Sequence, residues 1–393
     1  MAYRSVYCYA WDLADAGVTQ VADDLRERHV NTITLAVAYH AGKFLRPHGR
    51  SGRVYFPEDG TAYFPVETAR YGEIKPTVNH LAAERDILDE CCRLDEMNTQ
   101  AWIVLMHNSL LGQRHHDACV TNAFGDRYIY SLCPASPAAR EYAVTLCAET
   151  AERYPVAGLS LESPGYLPFE HGYHHEFSLV PQDMWLNNFL GLCFCPNCRA
   201  GAEAAGVDAK GLQARTAAAI DMWFSGDVSY ADDMANAFWT AALVTDPDLV
   251  PFLQWRCRVV ESLVGEIRAA VREDATVSVI PSVARPTCGG WYEGSDLAGL
   301  CSVSDYLEVC FYEPGPERIR ADLQDVVHRC GGTAKLRGIL RPGSPDLTSR
   351  EAVIGAVQAL AAGGIEDISF YNYGHLRRSS LDWMAEALAG VAA

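Results

Sequence analysis

The chain has 393 residues, 49% apolar and 10% aromatic, which is ample for a large packed core and too mixed for disorder. Fifty acidic against 32 basic residues leave a net charge of −18, and this speaks against nucleic acid or an anionic membrane as partner, since both need a basic face. No apolar run reaches the length of a membrane span, and the first residues enter a strand pattern with no charged-then-apolar leader. Fourteen cysteines in such a chain are expected to be reduced thiols and metal ligands in a cytoplasmic protein, not a disulfide framework.

Short apolar runs alternate with amphipathic stretches along the whole sequence. The predicted strands fall at 4–10, 32–38, 101–106, 158–161, 276–280, 306–311, 336–340 and 367–370. Several, such as Trp102-Ile-Val-Leu-Met106, are apolar at every position, as parallel strands covered on both faces must be. Helix signals fill the gaps. Ser136-Pro137 looks like a cap with proline in the first turn, and Ser349 opens a stretch stopped by Gly363-Gly364. Eight such units in one chain predict an α/β fold, a single (β/α)₈ TIM barrel over 1–393. Two insertions interrupt it, 41–79 after strand 2 and 163–248 after strand 4, both on the rim where barrels build their sites. No Gly-rich dinucleotide turn follows the first strand and no phosphate-binding loop is present.

The second insertion carries Cys193-Phe-Cys195-Pro-Asn-Cys198, three soft ligands at one point. A tetrahedral zinc needs a fourth, for which Cys133 is the best candidate and Cys119 the competitor. Free thiols in a surface loop are the plain alternative. A cysteine before Ser-Pro and a helix, a glutamate ending the fourth strand (Glu162), and then C-x-C-x-x-C resemble the β-galactosidases of glycoside hydrolase family 42. The resemblance implies a structural zinc on Cys133, Cys193, Cys195 and Cys198, and Glu162 as general acid/base. The chain departs from the family at Leu161, where Asn is usual, and after the seventh strand, where 336–342 offers no nucleophilic glutamate. A wider kinship with glycosidase barrels is therefore the expectation, with a carbohydrate as substrate.

Glycoside hydrolysis generally takes two carboxyl groups. With Glu162 as the first, Glu313, at the mouth of the sixth strand, is the predicted second. Its plain alternative is a turn residue paired with a nearby arginine. Glu308, five residues earlier, should face the other way, into an ion pair that either faces the helices or lies low in the barrel. Most other strand ends are aromatic or polar, as a sugar's C–H faces and hydroxyls require. They nominate Trp11, Asp12, Tyr39, His40, His107, Asn108, Arg285, Tyr312, Arg341, Tyr371 and Asn372 as substrate-binding, joined by His171 and His174 from the loop after strand 4.

That loop, Glu170-His-Gly-Tyr-His174-His175-Glu176, supports a rival reading. A catalytic metal on His171, His174 and His175 would make the protein a metal-dependent isomerase or hydrolase. A third possibility is a sugar-binding barrel without catalysis. The first insertion gathers Lys43, Arg46, His48, Arg50 and Arg53, suited either to an acidic sugar or to a lid or contact between subunits of a homo-oligomer.

Overall fold

The computed structural model describes residues 2–171, 173, 177–226 and 228–391. Eight parallel strands form its centre: β1 (Arg4–Tyr9), β2 (Thr32–Tyr39), β3 (Asn98–Val104), β4 (Gly158–Glu162), β5 (Thr276–Val279), β6 (Tyr306–Cys310), β7 (Leu336–Leu340) and β8 (Ile368–Phe370). Each pairs with the next in sequence, and β1 pairs with both β2 and β8, so the sheet closes into a (β/α)₈ barrel. Closure leaves no edge strand, and β2 is buried at every position because helices cover the outside and side chains fill the inside.

β3 begins earlier than its apolar run suggests, at Asn98, because Gln100 belongs to a polar barrel interior. Gln100 Nε2 donates to Glu308 Oε1 (3.1 Å) and to Ser278 Oγ (3.2 Å). Glu308 also accepts from Ser160 Oγ (2.9 Å) and the Tyr7 hydroxyl, and pairs with Arg337 (3.3 Å). The Arg337 guanidinium lies between the rings of Tyr3 and Tyr306, 3.9 and 3.8 Å from their centroids. Of the two expected placements, Glu308 takes the ion pair low in the barrel and does not face the helices.

Between β2 and β3 a short hairpin, Phe44–Leu45 with Val54–Tyr55, precedes Thr61–Ala62, which adds antiparallel to the end of β2. Between β4 and β5 the chain runs through the helices Met184–Leu190, Pro196–Ala204, Ala209–Ser225 and Asp232–Thr245 before the long barrel helix Leu249–Ala270. Among the described residues no helix is long and apolar enough to cross a membrane.

Candidate active site

A cavity of about 640 Å³ opens at the carboxyl ends of the strands. Its floor is aromatic: Tyr7, Tyr39, Trp102 and Tyr371 converge there from β1, β2, β3 and the end of β8. Tyr9, behind them, shares hydrogen bonds with Tyr39 (3.1 Å) and Tyr371 (2.7 Å), which fixes both hydroxyls.

Glu162, the last residue of β4, projects into this cavity. Trp102 Nε1 donates to its Oε2 at 2.6 Å, and no arginine or lysine forms an ion pair with it among the described residues. Burial outweighs that hydrogen bond and pushes the carboxyl up to about 7. Ser163, immediately after, adopts φ of 51°, a left-handed conformation uncommon for a residue with a Cβ. Backbone bonds from Leu105 to Glu162 O and from Met106 to Ser163 O, both 3.0 Å, hold this turn.

Two further glutamates line the cavity: Glu170, which accepts from Asn187 Nδ2 at 3.1 Å, and Glu293, which sequence reasoning missed. Glu293 ends the short 3-10 helix Thr287–Glu293, well beyond β5. Two glycines place it. Gly294 takes φ of +88°, and a Cβ there would sit 2.6 Å from Val260. Gly165 passes so close to the Glu293 carbonyl that a Cβ would lie 2.1 Å from its oxygen, which lets Tyr166 N donate to that oxygen at 2.8 Å. Ser282 Oγ donates to the Glu293 carboxylate. Burial, reinforced by the negative charge of Glu162, pushes it up to about 7 despite that bond. Glu162 and Glu293 are each only partly accessible, and the loss of solvation comes from the walls of a shared cavity. Trp291-Tyr-Glu293-Gly294, an acid between aromatics and a glycine on the strand-end side of the barrel, is the signal that could have found it.

Glu313 does not line the cavity. Its buried carboxylate accepts from Nε of Arg318, on the first turn of the helix Pro316–Cys330, so the turn-and-arginine alternative describes its surroundings. Tyr39, His40, His107, His171, Arg285, Tyr312, Arg341 and Tyr371 do line the cavity. Four other nominated residues are drawn into the framework. Trp11 is buried and stacked between Tyr9 and Tyr55, with centroids 4.3 and 5.0 Å away. Asp12 accepts from Arg46 Nε at 2.6 Å, although burial still pushes its carboxyl up to about 6. Asn108 caps the helix Ser109–Arg114 and donates to Gly60 O (3.0 Å). Asn372 accepts from Gly374 N (3.0 Å) and is fully buried. Arg46, at the heart of the basic stretch, is likewise buried between Asp12 and Asp15. His174 and its neighbour His175 lie outside the described residues. His171 faces His107, whose ring stacks on His40 with centroids 4.3 Å apart.

Cys133, Cys193, Cys195 and Cys198 come together, all buried, with their sulfurs within 4.8 Å of one another. Cys133 Sγ lies 3.4, 3.9 and 3.7 Å from those of Cys198, Cys193 and Cys195. Zinc–sulfur bonds of about 2.3 Å in a tetrahedron give edges of about 3.8 Å, so the cluster could hold a metal ion of that kind. Backbone N–H groups of Thr121 and Cys198 donate to Cys193 and Cys195, both at 3.4 Å, the outer-shell support a thiolate centre uses. Cys119 lies outside the cluster, its thiol directed at the carbonyls of Gly112 and His115.

Neither a protein-family model nor a curated protein matches the sequence. Solved structures do resemble the fold. The glycoside hydrolase domain of PgaB (BpsB) from Bordetella bronchiseptica is 12% identical with a TM-score of 0.62, covering 99% of both chains. The catalytic domain of a β-amylase from Paenibacillus polymyxa is 13% identical with a TM-score of 0.61, over 99% of this chain and 98% of that one. A β-galactosidase from the psychrophilic Marinomonas ef1 is 12% identical with a TM-score of 0.60, over 99% of this chain and 59% of that one. The chain has the barrel fold of these glycoside hydrolases.

Proposed function

We propose that this barrel is a glycoside hydrolase whose two working carboxyls are Glu162 and Glu293. One observation carries the proposal: of the three glutamates lining the cavity, Glu162 and Glu293 have no cationic partner among the described residues and are pushed up to about 7. At neutral pH such a pair holds about one proton between its members, which is what an acid and a base acting on one bond require. Structural carboxylates are instead paired, as Glu308 and Glu313 are.

Glu162 takes the part of proton donor, by its place at the end of β4 and by the resemblance to family 42. It protonates the glycosidic oxygen as the bond from that oxygen to the anomeric carbon breaks. Glu293 either attacks the anomeric carbon, forming an ester that water later cleaves, or removes a proton from the water that attacks. Tyr39 and Tyr371, held by Tyr9, are placed to bond sugar hydroxyls, and Trp102 and Tyr312 offer aromatic faces. Zinc is the proposed occupant of the four cysteines. It would tie Cys133, beyond β3, to the segment 193–198 and stiffen the wall carrying Glu162; its contribution is structural. A panel of chromogenic glycosides of both anomers, run on the parent, Glu162→Gln and Glu293→Gln, tests the assignment. Release of chromophore by the parent and not by either variant is expected; equal rates in all three would overturn it.

A further inference from the structure

The mouth of the cavity holds more positive charge than its own architecture uses. Arg341, just past the end of β7, and Arg285, on the loop after β5, both line it. Both lean on one acid: Arg341 Nε meets Asp346 Oδ2 at 2.5 Å and Arg285 reaches Oδ1 at 2.9 Å. Asp346 is fully buried, and neither arginine pairs with another carboxylate among the described residues. Two guanidiniums against one carboxylate leave this cluster with one positive charge, opposite in sign to the glutamates that line the same cavity. The Arg341 guanidinium lies 4.5 Å over the ring of Tyr312, a contact that helps to hold it in place.

That charge is not serving as counter-ion to the catalytic pair. A guanidinium doing so would draw Glu162 and Glu293 down, whereas burial carries both up and no arginine acts on either. Arg341 and Glu162 nevertheless line the same cavity, without an ion pair between them.

We infer that Arg341, with Arg285 beside it, binds an anionic substituent on the substrate, so that the sugar bound next to Glu162 is acidic. The oxyanion is a uronate carboxylate or a sulfate or phosphate ester, either of which a guanidinium edge matches in bidentate fashion. This rests on the assignment of the cavity as a sugar-cleaving site, and the test separates the two. Calorimetry on Glu162→Gln compares glucuronate, galacturonate and glucose 6-sulfate with glucose and galactose, while turnover is measured on the parent with the corresponding aryl glycosides.

An acidic ligand should bind about tenfold or more tighter than its neutral counterpart. The uronates and the sulfate ester distinguish the source of the oxyanion. In Glu162→Gln/Arg341→Gln the ratio of acidic to neutral affinity should fall toward one, with partial recovery in the Lys variant. Arg285→Gln, at a more exposed position, provides a smaller loss of the same kind should the first variant fold poorly. Equal or better binding of neutral sugars, an unchanged ratio in both arginine variants, or no binding of any acidic ligand overturns the inference. Acidic ligands bound but never cleaved by the parent would leave it standing and remove the hydrolase assignment instead.

Discussion

Glu162 and Glu308 are carboxylates of one barrel, contributed by strands two apart, and their surroundings could hardly differ more. Glu308 is fully buried and has four partners, Tyr7, Gln100, Ser160 and Arg337, the last a counter-charge. Among the described residues Glu162 has one, the indole of Trp102. A charge kept for packing is surrounded until its hydrogen-bonding capacity is met; one kept for chemistry is left with an open side toward the cavity. Ser160, two residues before Glu162 on β4, belongs to the lower set, so the change occurs within a single turn of strand alternation.

The largest expected effect separates the two by activity. Glu162→Gln should lower kcat on the best glycoside on the order of 10³-fold, and Glu293→Gln similarly, because each removes a positioned proton donor or acceptor. Thermal unfolding should show both variants at least as stable as the parent. Glu308→Leu should do the reverse: it leaves the Arg337 charge, between Tyr3 and Tyr306, with only the looser contact to Asp367 at 3.6 Å among the described residues, and costs about 3 kcal/mol in urea unfolding. Adding Arg337→Met should recover part of that loss. A Glu308 variant that unfolds no more readily than the parent breaks the comparison.

The thiolate cluster is a third kind of buried polar site, complete only with a cation. One equivalent of zinc per chain is expected by metal analysis, absent from Cys195→Ser. At about hundredfold saturation the bound ion adds about 3 kcal/mol, seen as a lower Tm in the variant or after chelation.

Much of this was legible in the chain. The strands declared themselves as apolar runs, and three cysteines could be nominated from spacing because soft ligands seldom crowd together without reason, with Cys133 added from its place before a helix after the third strand. Glu162 was readable because a lone acid ended an apolar strand. β3 was misjudged at its start because a barrel of this kind hides polar side chains such as Gln100 inside, where periodicity anticipates apolar ones. Glu293 left no periodic trace, since its position depends on a non-repeating turn and on Gly165 and Gly294. Asn108 and Asn372 look like sugar ligands in sequence, but an amide side chain serves a helix cap or a tight turn equally well, and here the backbone claimed both.

A smaller effect tests whether the open side of Glu162 carries a cost. With the carboxyls raised to about 7 in the folded state against about 4.5 unfolded, the native protein holds their protons more tightly. Stability is thus favoured below the unfolded value and lost as pH rises toward 7. Glutamine, which never ionises, escapes the loss. Glu162→Gln should therefore exceed the parent on the order of 2 kcal/mol at pH 8 and match it at pH 4, as read from urea unfolding at the two pH values.

The smallest effect belongs to Glu313. Its carboxylate is nearly as buried as that of Glu308, but its partner Arg318 is 60% exposed, so water screens the pair and solvates the arginine when the pair is broken. Glu313→Gln keeps an acceptor for Arg318 Nε and should cost under about 1 kcal/mol, with kcat unchanged. Burial alone would rank Glu313 beside Glu308, and position alone would rank it beside Glu162. A loss of turnover in this variant, with stability intact, would return the second catalytic role to the sixth strand and leave Glu293 a bystander.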